Sequence, residues 1–218
     1  MVDFVSVTGI ILKAEPIGEY DRRVVILTRE RGKISAFARG ARRQTSSMLA
    51  ATAPFCFGTF KIYEGKNSYT LSEAKIDNYF PEFRTAVEEA FYGMYFLEVA
   101  DYYTRENNDE AEMLKLVYAS LVALLKGKWD KSFVRCVFEL KAIAVNGEYP
   151  GAPEGNFNQS TLYALDFIGK TPVENLYTFT VTDEVLSEMI KVSKKYCKRY
   201  MDRTFKSVAL LDDVRYNI

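Results

Sequence analysis

Two periodicities divide this chain. Over residues 1–80 apolar positions come in short runs, several alternating with polar ones, and turn signals separate them. Alternation with period two is the mark of a half-buried strand. The runs predict five strands: Val5–Lys13 (VSVTGIILK), Arg22–Thr28 (RRVVILT), Ile34–Arg39, Phe55–Tyr63 (FCFGTFKIY) and Asn67–Tyr79. Pro16–Gly18, Arg31-Gly32 and Gly65–Asn67 supply the turns. In the fourth run the aromatic phase slips at Gly58, which predicts a bulge or a barrel bend. After Phe80-Pro81 the period becomes helical: Phe83, Val87, Phe91, Met94 and Leu97 step by three and four, as do Met113 to Leu125 and Phe133 to Ala144. Asn107–Asp109 and Gly127–Asp130 break the stripes, and residues 147–159 (GEYPGAPEGNFNQ) form an irregular loop. Ser160–Ile168 predicts a short helix. A longer one is expected from about Asp183 to Arg203, with Thr182 as N-cap, Leu186, Ile190, Cys197 and Tyr200 on its packed side, and Lys191, Lys194, Lys195, Lys198 and Arg199 in solvent.

The expected architecture is therefore α+β: a five-stranded barrel over residues 1–80, then a helical domain over 81–218. Five short strands suit an OB-type barrel, with an SH3-like barrel as the competitor on strand number alone.

Charge sharpens this division. The 218 residues carry 29 basic and 29 acidic side chains and no histidine. Yet between Tyr20 and Thr45 stand Arg22, Arg23, Arg29, Arg31, Lys33, Arg39, Arg42 and Arg43 against only Asp21 and Glu30. Guanidinium forks beside a β-rich module suit phosphate, so Arg39, Arg42 and Arg43, with Lys33, Arg22 and Arg23 nearby, are the candidate DNA-contacting residues. Phe57, Phe60, Tyr63 and Tyr69 are candidates for base stacking, barrel core being the plainer alternative for alternating aromatics. Residues 81–182 are net acidic, and their few basic residues include Lys115, Arg135 and Lys141, the candidate rim of a groove for an acidic, apolar peptide. The Lys-rich face of the last helix is either a second DNA contact or simply solvated.

Several chemistries drop out. Without histidine there is no His general base, Ser–His or Cys–His pair, or His metal ligand. Neither GxxxxGK[ST] nor GxGxxG occurs. Cys56, Cys136 and Cys197 are far apart and sit in apolar contexts, which predicts core packing, not zinc or disulfides. Asp212-Asp213 is the only adjacent aspartate pair, a thin basis for a metal-dependent nuclease. No run of about 18 apolar residues suggests a membrane span, and MVDFVSVTGIILK lacks a basic leader region, so a cytoplasmic location is expected. An RNA-binding OB protein or translation-associated factor is the alternative to a DNA-binding one, since contacts to the 2′-hydroxyl separate the two.

One stretch is more specific. TGIILKAEPIGEYDRRVVILTRERGKISAFARGARR resembles the N-terminal segment of the RecO family of bacterial DNA repair proteins: Gly9–Leu12, the turn Gly18–Asp21, Ile26–Thr28 and the segment Gly32–Arg43 match its motifs in order. Pro54–Phe60, Phe138–Pro150 and Asp202–Leu211 resemble later family motifs. The resemblance implies an N-terminal OB-fold and a helical C-terminal domain. It also implies binding of single- and double-stranded DNA, strand annealing, and recombination mediation with RecR and the acidic, apolar tail of single-stranded DNA-binding protein, to help load RecA. Family members often carry a four-cysteine zinc site after the position of Tyr149-Pro150. Here Gly151–Asn158 contains no cysteine, so no zinc or other cofactor is expected, and no enzymatic activity.

Overall fold

A computed structural model describes residues 4–66, 68–151 and 153–208. The chain forms two compact units. One runs up to Thr85 and adds Ala100–Leu114; the other comprises Ala86–Val99 and the chain from Lys115 onward.

In the first unit the strands are β1 (Phe4–Ile17), β2 (Asp21–Thr28), β3 (Gly32–Ala38), β4 (Phe57–Glu64) and β5 (Tyr69–Asn78), with the short helix α1 (Met48–Ala51) between β3 and β4. They close into a barrel in the order β1-β2-β3-β5-β4. β1 pairs antiparallel with both β2 and β4, and a register shift between Ile11 and Lys13 lets one long strand serve two neighbours. β3 and β5 close the barrel in parallel through Ala36–Tyr69 and Phe37–Thr70. Inward positions of every strand, among them Val7, Ile11, Val24, Ile26, Ile34, Phe60, Ile62 and Leu71, fill the interior. The expected slip at Gly58 is present as a shift in the β4–β5 register. Gly58 faces Gly9 of β1, and a Cβ on either would fall 2.2–2.3 Å from a neighbouring carbonyl oxygen, so the crowded strand crossing requires glycine. β4 begins two residues later than expected because Phe55 takes φ 74°. The expected strand start at Asn67 lies outside the described residues.

Ala100–Leu114 lies against this barrel. Lys33 N donates to the Arg105 carbonyl at 3.0 Å and Asn107 N to the Arg31 carbonyl at 3.0 Å. Gly32, at φ 65°, is the point of approach: a Cβ there would meet Arg105 O at 2.3 Å.

The helices are α2 (Val87–Tyr103), α3 (Ala111–Lys126), α4 (Lys131–Val145), α5 (Gln159–Lys170) and α6 (Asp183–Tyr200). α4 is central to the second unit. Ten of its residues between Phe133 and Ile143 are buried, and Phe138 stacks on Phe96 of α2 at 4.1 Å. Polar residues start the helices: Asp130 accepts from Ser132 N, Asn158 from Ser160 N, and Thr182 from Val185 N, each satisfying a first-turn amide. The packed face of α6 is turned by one position from the expected one. Val185, Met189, Val192, Ser193 and Tyr196 are buried, whereas Leu186, Ile190, Cys197 and Tyr200 flank them half-exposed. The five basic residues Lys191 to Arg199 do face solvent, except that the Arg199 guanidinium lies over the Tyr200 ring.

Loop 147–159, apart from residue 152, is tied down by two tyrosines. Tyr149 Oη donates to the Leu165 carbonyl at 2.8 Å and Tyr196 Oη to the Gly151 carbonyl at 3.0 Å. The family-like motif at Asp202–Leu211 extends past Val208, and its last residues, like Asp212-Asp213, lie outside the described part.

Candidate nucleic-acid interface and peptide groove

Past the end of β3 the chain turns at Gly40, whose amide donates to Asp21 Oδ1 at 2.7 Å. Arg42 N donates to the Tyr20 carbonyl at 2.8 Å, and Arg42 Nη1 to the Gly18 carbonyl at 3.1 Å. The β1–β2 turn and the loop after β3 are thereby held as one ridge. Arg39, Arg42 and Arg43 stand exposed on it and form no ion pair among the described residues. The Arg43 guanidinium lies 5.2 Å from the Tyr20 ring centroid, a cation–π distance. Tyr20 is 45% exposed, and Phe37, on the outer face of β3, is 39% exposed. Three exposed guanidinium groups without ion pairs among the described residues, one of them over a partly bare ring, can hold phosphates while a base stacks.

Not every expected contact residue joins this ridge. Arg22 Nη1 donates to Leu49 O and Thr52 Oγ1, both at 2.8 Å, which anchors α1 to the barrel. Lys33 Nζ donates to the Asp101 carbonyl and to Asp101 Oδ1, so it is a tie within the unit and not an open phosphate contact. Arg23 is exposed, with its Nε on Ser35 Oγ at 2.9 Å, and borders a shallow depression together with Phe37. Of the stacking candidates, Phe60 is wholly buried in the barrel core and offers no face to a base. Tyr69 is buried as well. Its hydroxyl donates to Glu106 Oε1 at 2.8 Å, and burial first, then this bond, pushes its pKa up to about 12. Phe57 and Tyr63 are half-buried, Tyr63 lying 6.2 Å from the Phe4 ring. Tyr20 and Phe37 are the aromatics that sequence reasoning missed. An aromatic inside the polar turn Gly18–Asp21 was the available signal for the first.

Asp101 receives Lys13 Nζ at 2.6 Å and Lys33 Nζ at 3.1 Å. Burial alone would raise its pKa, but the bonds from Lys13 and Lys33 prevail and hold it below the ordinary carboxylate value. A depressed folded pKa contributes stability that is present above the unfolded value of about 3.9 and is lost as pH falls through the folded one. Asp101→Asn is therefore expected to lower barrel stability at pH 7 by about 1–2 kcal/mol. The gap to wild type should close as urea midpoints are followed below about pH 4, where the carboxylate is being protonated. A gap that persists at low pH would place the cost elsewhere.

The proposed peptide rim is also rearranged. Lys115 pairs with Glu174 at 2.8 Å on the surface. Lys141 is buried, its Nζ donating to the carbonyls of Gly169 and Thr171, where it satisfies the end of α5. Neither is an open rim residue. Arg135 is paired too, its Nε meeting Glu139 Oε1 at 2.8 Å and its guanidinium lying over Tyr95 at 4.9 Å, but it borders two adjoining cavities of about 220 and 260 Å³ between α4 and α6. Their other basic members are Lys194, Lys198 and Arg203, and their apolar walls include Ile190, Met201, Phe205 and Val208. Lys194, Lys198 and Arg203 form no ion pair among the described residues. Sequence spacing placed the two lysines correctly in solvent but did not join them to Arg135.

Burial pushes the thiols of Cys56, Cys136 and Cys197 up, keeping them protonated and poor as metal ligands. Among the described residues no cluster of His, Cys, Asp or Glu could hold a metal ion, and no helix is long and apolar enough to cross a membrane.

A closed barrel in this strand order, followed by a helical body, defines an OB-type barrel protein. Comparison with known families is more specific. Residues 1–80 match the family described as recombination protein O, N terminal. Residues 84–152 and 152–209 match recombination protein O, C terminal. The chain belongs to the RecO family. Similar proteins include the DNA repair protein RecO of Acetivibrio thermocellus, 26% identical with 94% of each chain covered. That of Clostridium perfringens is 28% identical, covering 95% of this chain and 97% of the relative. That of Alkaliphilus metalliredigens is 30% identical over 67% of this chain and 59% of the relative. The family is one of DNA repair mediators and not of enzymes.

Proposed function

We propose that this protein serves DNA repair by binding single- and double-stranded DNA on the barrel ridge and annealing complementary strands. In the same reading it acts in the cytoplasm with RecR and single-stranded DNA-binding protein to help load RecA. The observation that carries the DNA assignment is that Arg39, Arg42 and Arg43 stand exposed on one loop, free of ion pairs among the described residues, with Arg43 over the Tyr20 ring, in a chain of this family. Phosphate contacts release condensed counterions and fix a strand without reading its sequence. Two polyanions held near one cationic ridge repel each other less, which favours annealing. The cavities between α4 and α6 suit an acidic, apolar tail, since their apolar walls lie beside Lys194, Lys198 and Arg203, which form no ion pair among the described residues. We further infer that the protein works without zinc, because the cysteine-free loop is instead held by Tyr149 and Tyr196.

The test is fluorescence anisotropy with a labelled oligonucleotide over a salt series, paired with an annealing assay on complementary strands. The expected result is tight, salt-sensitive binding of single-stranded DNA and accelerated annealing. Absence of DNA binding, or a strong preference for RNA of equal sequence, overturns the reading.

A further inference from the structure

The five residues before α6, Thr178 to Thr182 (TFTVT), are all β-branched or aromatic, the composition of a strand. Half-buried Phe179 and Val181 alternate with exposed Thr180 and Thr182, as on an extended chain, yet the segment pairs with no strand among the described residues. One side of it is fixed. The Phe179 ring packs edge-on against Phe133 at 5.3 Å and Phe167 at 5.0 Å, and Trp129 Nε1 donates to the Phe179 carbonyl at 2.9 Å. Successive residues of an extended chain turn their main-chain groups to opposite edges, so Thr180 N–H and C=O point away from Trp129. Neither makes a hydrogen bond among the described residues. Between this segment and α5 lies an open groove of about 780 Å³. Its apolar wall includes Phe167, Val181 and Tyr163, the last 72% exposed. Glu184 is the one charged residue lining it among the described residues, and neither Glu184 nor its neighbour Asp183 forms an ion pair among them.

We infer that this groove docks an extended, basic segment of a partner protein, which adds to Thr178–Thr182 as a strand and lays alternate apolar side chains beside Tyr163 and Phe167. Three features commit the groove to this occupant. An unpaired strand edge is a template for another chain unless Lys, Pro or a covering element blunts it, and TFTVT contains neither Lys nor Pro. The spacings match: Tyr163 and Phe167 stand one turn apart on α5, about 6 Å along its axis, and alternate residues of a strand are about 7 Å apart. The charge sets the sign of the partner. Two carboxylates with no basic residue on the lining attract Lys or Arg and repel an acidic strand. Both stand just past the C-terminal end of the segment, so an antiparallel partner meets them with residues at its own N-terminal end.

Main-chain pairing supplies affinity in such a contact, and the pockets for alternate side chains supply specificity. The segment is held in place by Phe133, Phe167 and Trp129 before any partner arrives, so little ordering is left to oppose binding. The α4–α6 cavities carry the opposite charge, through Lys194, Lys198 and Arg203. The second unit therefore presents two grooves that sort partners by sign.

The experiment uses the whole chain and a fluorescein-labelled heptapeptide: two arginines, then threonine alternating with phenylalanine and valine. The protein is expected to bind it, with slower exchange of the Thr180 amide in the complex. Replacing the two arginines by aspartates should weaken binding about tenfold. Tyr163→Ala, at a side chain that stands mostly in solvent, should weaken it about fivefold or more without changing Tm. Methylating the peptide's central main-chain nitrogens should also weaken it about tenfold, because the strand bonds are lost while the side chains remain. Lys194→Glu, in the other groove, should leave binding unchanged. Equal binding of the arginine and aspartate peptides would overturn the basic partner, and equal binding of the methylated peptide would overturn strand addition. Self-association of the protein that Tyr163→Ala abolishes, with no peptide bound, would give the groove to a second copy and overturn the inference. Failure of every peptide to bind a monomeric protein would overturn it as well.

Discussion

Replacing Arg39, Arg42 and Arg43 together by alanine is expected to flatten the log–log salt dependence of single-stranded DNA binding by about 2, at ~0.7 per lost phosphate contact. The same slope sets the loss of affinity. If the salt-independent part of binding is unchanged, wild-type and variant curves converge near 1 M salt, and at 0.1 M the variant binds about 100-fold more weakly. Stability should barely move, because Arg39 and Arg43 are exposed and the side-chain bond lost from Arg42 is one to the Gly18 carbonyl. The contrasting variant is Lys33→Ala. It removes a cation from the same stretch of sequence, but one engaged by Asp101. It should therefore lower stability and leave the salt slope alone. Tyr20→Leu should weaken binding about equally at every salt concentration, by ~1–3 kcal/mol if a base stacks on that ring. Equal slopes for wild type and the triple variant would remove the ridge from the DNA path.

The contrast between Lys33 and the three arginines marks how far sequence carries. The barrel was legible because each strand must bury one face, which leaves an alternating trace, and because Gly58 breaks that trace where the register shifts. Thr182 as N-cap of α6 and the breaks around Asn107 and Gly127 were legible for the same local reason. What a cation does is not local. Lys33 meets a residue 68 positions away, Lys141 meets carbonyls 28 and 30 positions away, and Arg22 reaches 27 and 30 positions along the chain. No spacing rule signals these pairings. Phe60 and Tyr63 likewise look equivalent as aromatics, and only the phase after Gly58 sends the first inward. On α6 apolar residues occupy two adjacent rows, so periodicity fixed the helix and its cationic side but left the packed row uncertain by one position, a rotation of about 100°.

Glu139 governs the second unit in the way Asp101 governs a corner of the first, and Glu139→Gln should be the costlier change. Its carboxylate is buried and surrounded by donors alone: Tyr95 Oη and Arg135 Nε reach Oε1 at 2.8 Å each, and Ser193 Oγ reaches Oε2 at 2.6 Å. Glutamine keeps the shape but removes the charge and points an NH2 group at one of these donors. Arg135, 22% exposed at its side chain, is then left without its counter-charge. Breaking a buried pair on one side costs about 3–5 kcal/mol, because the remaining ion stays desolvated. In a domain of this size that corresponds to a fall in Tm of roughly 6–20 °C. The pair itself need not be net stabilising, so the double variant Arg135→Met/Glu139→Leu should recover much of the loss. Thermal unfolding of the single and double variants reads both statements. Equal destabilisation would show that Glu139 matters through Tyr95 and Ser193 and not through Arg135. Recovery would show that Arg135 requires Glu139 while the fold does not require Arg135, which leaves that guanidinium available to the groove it borders.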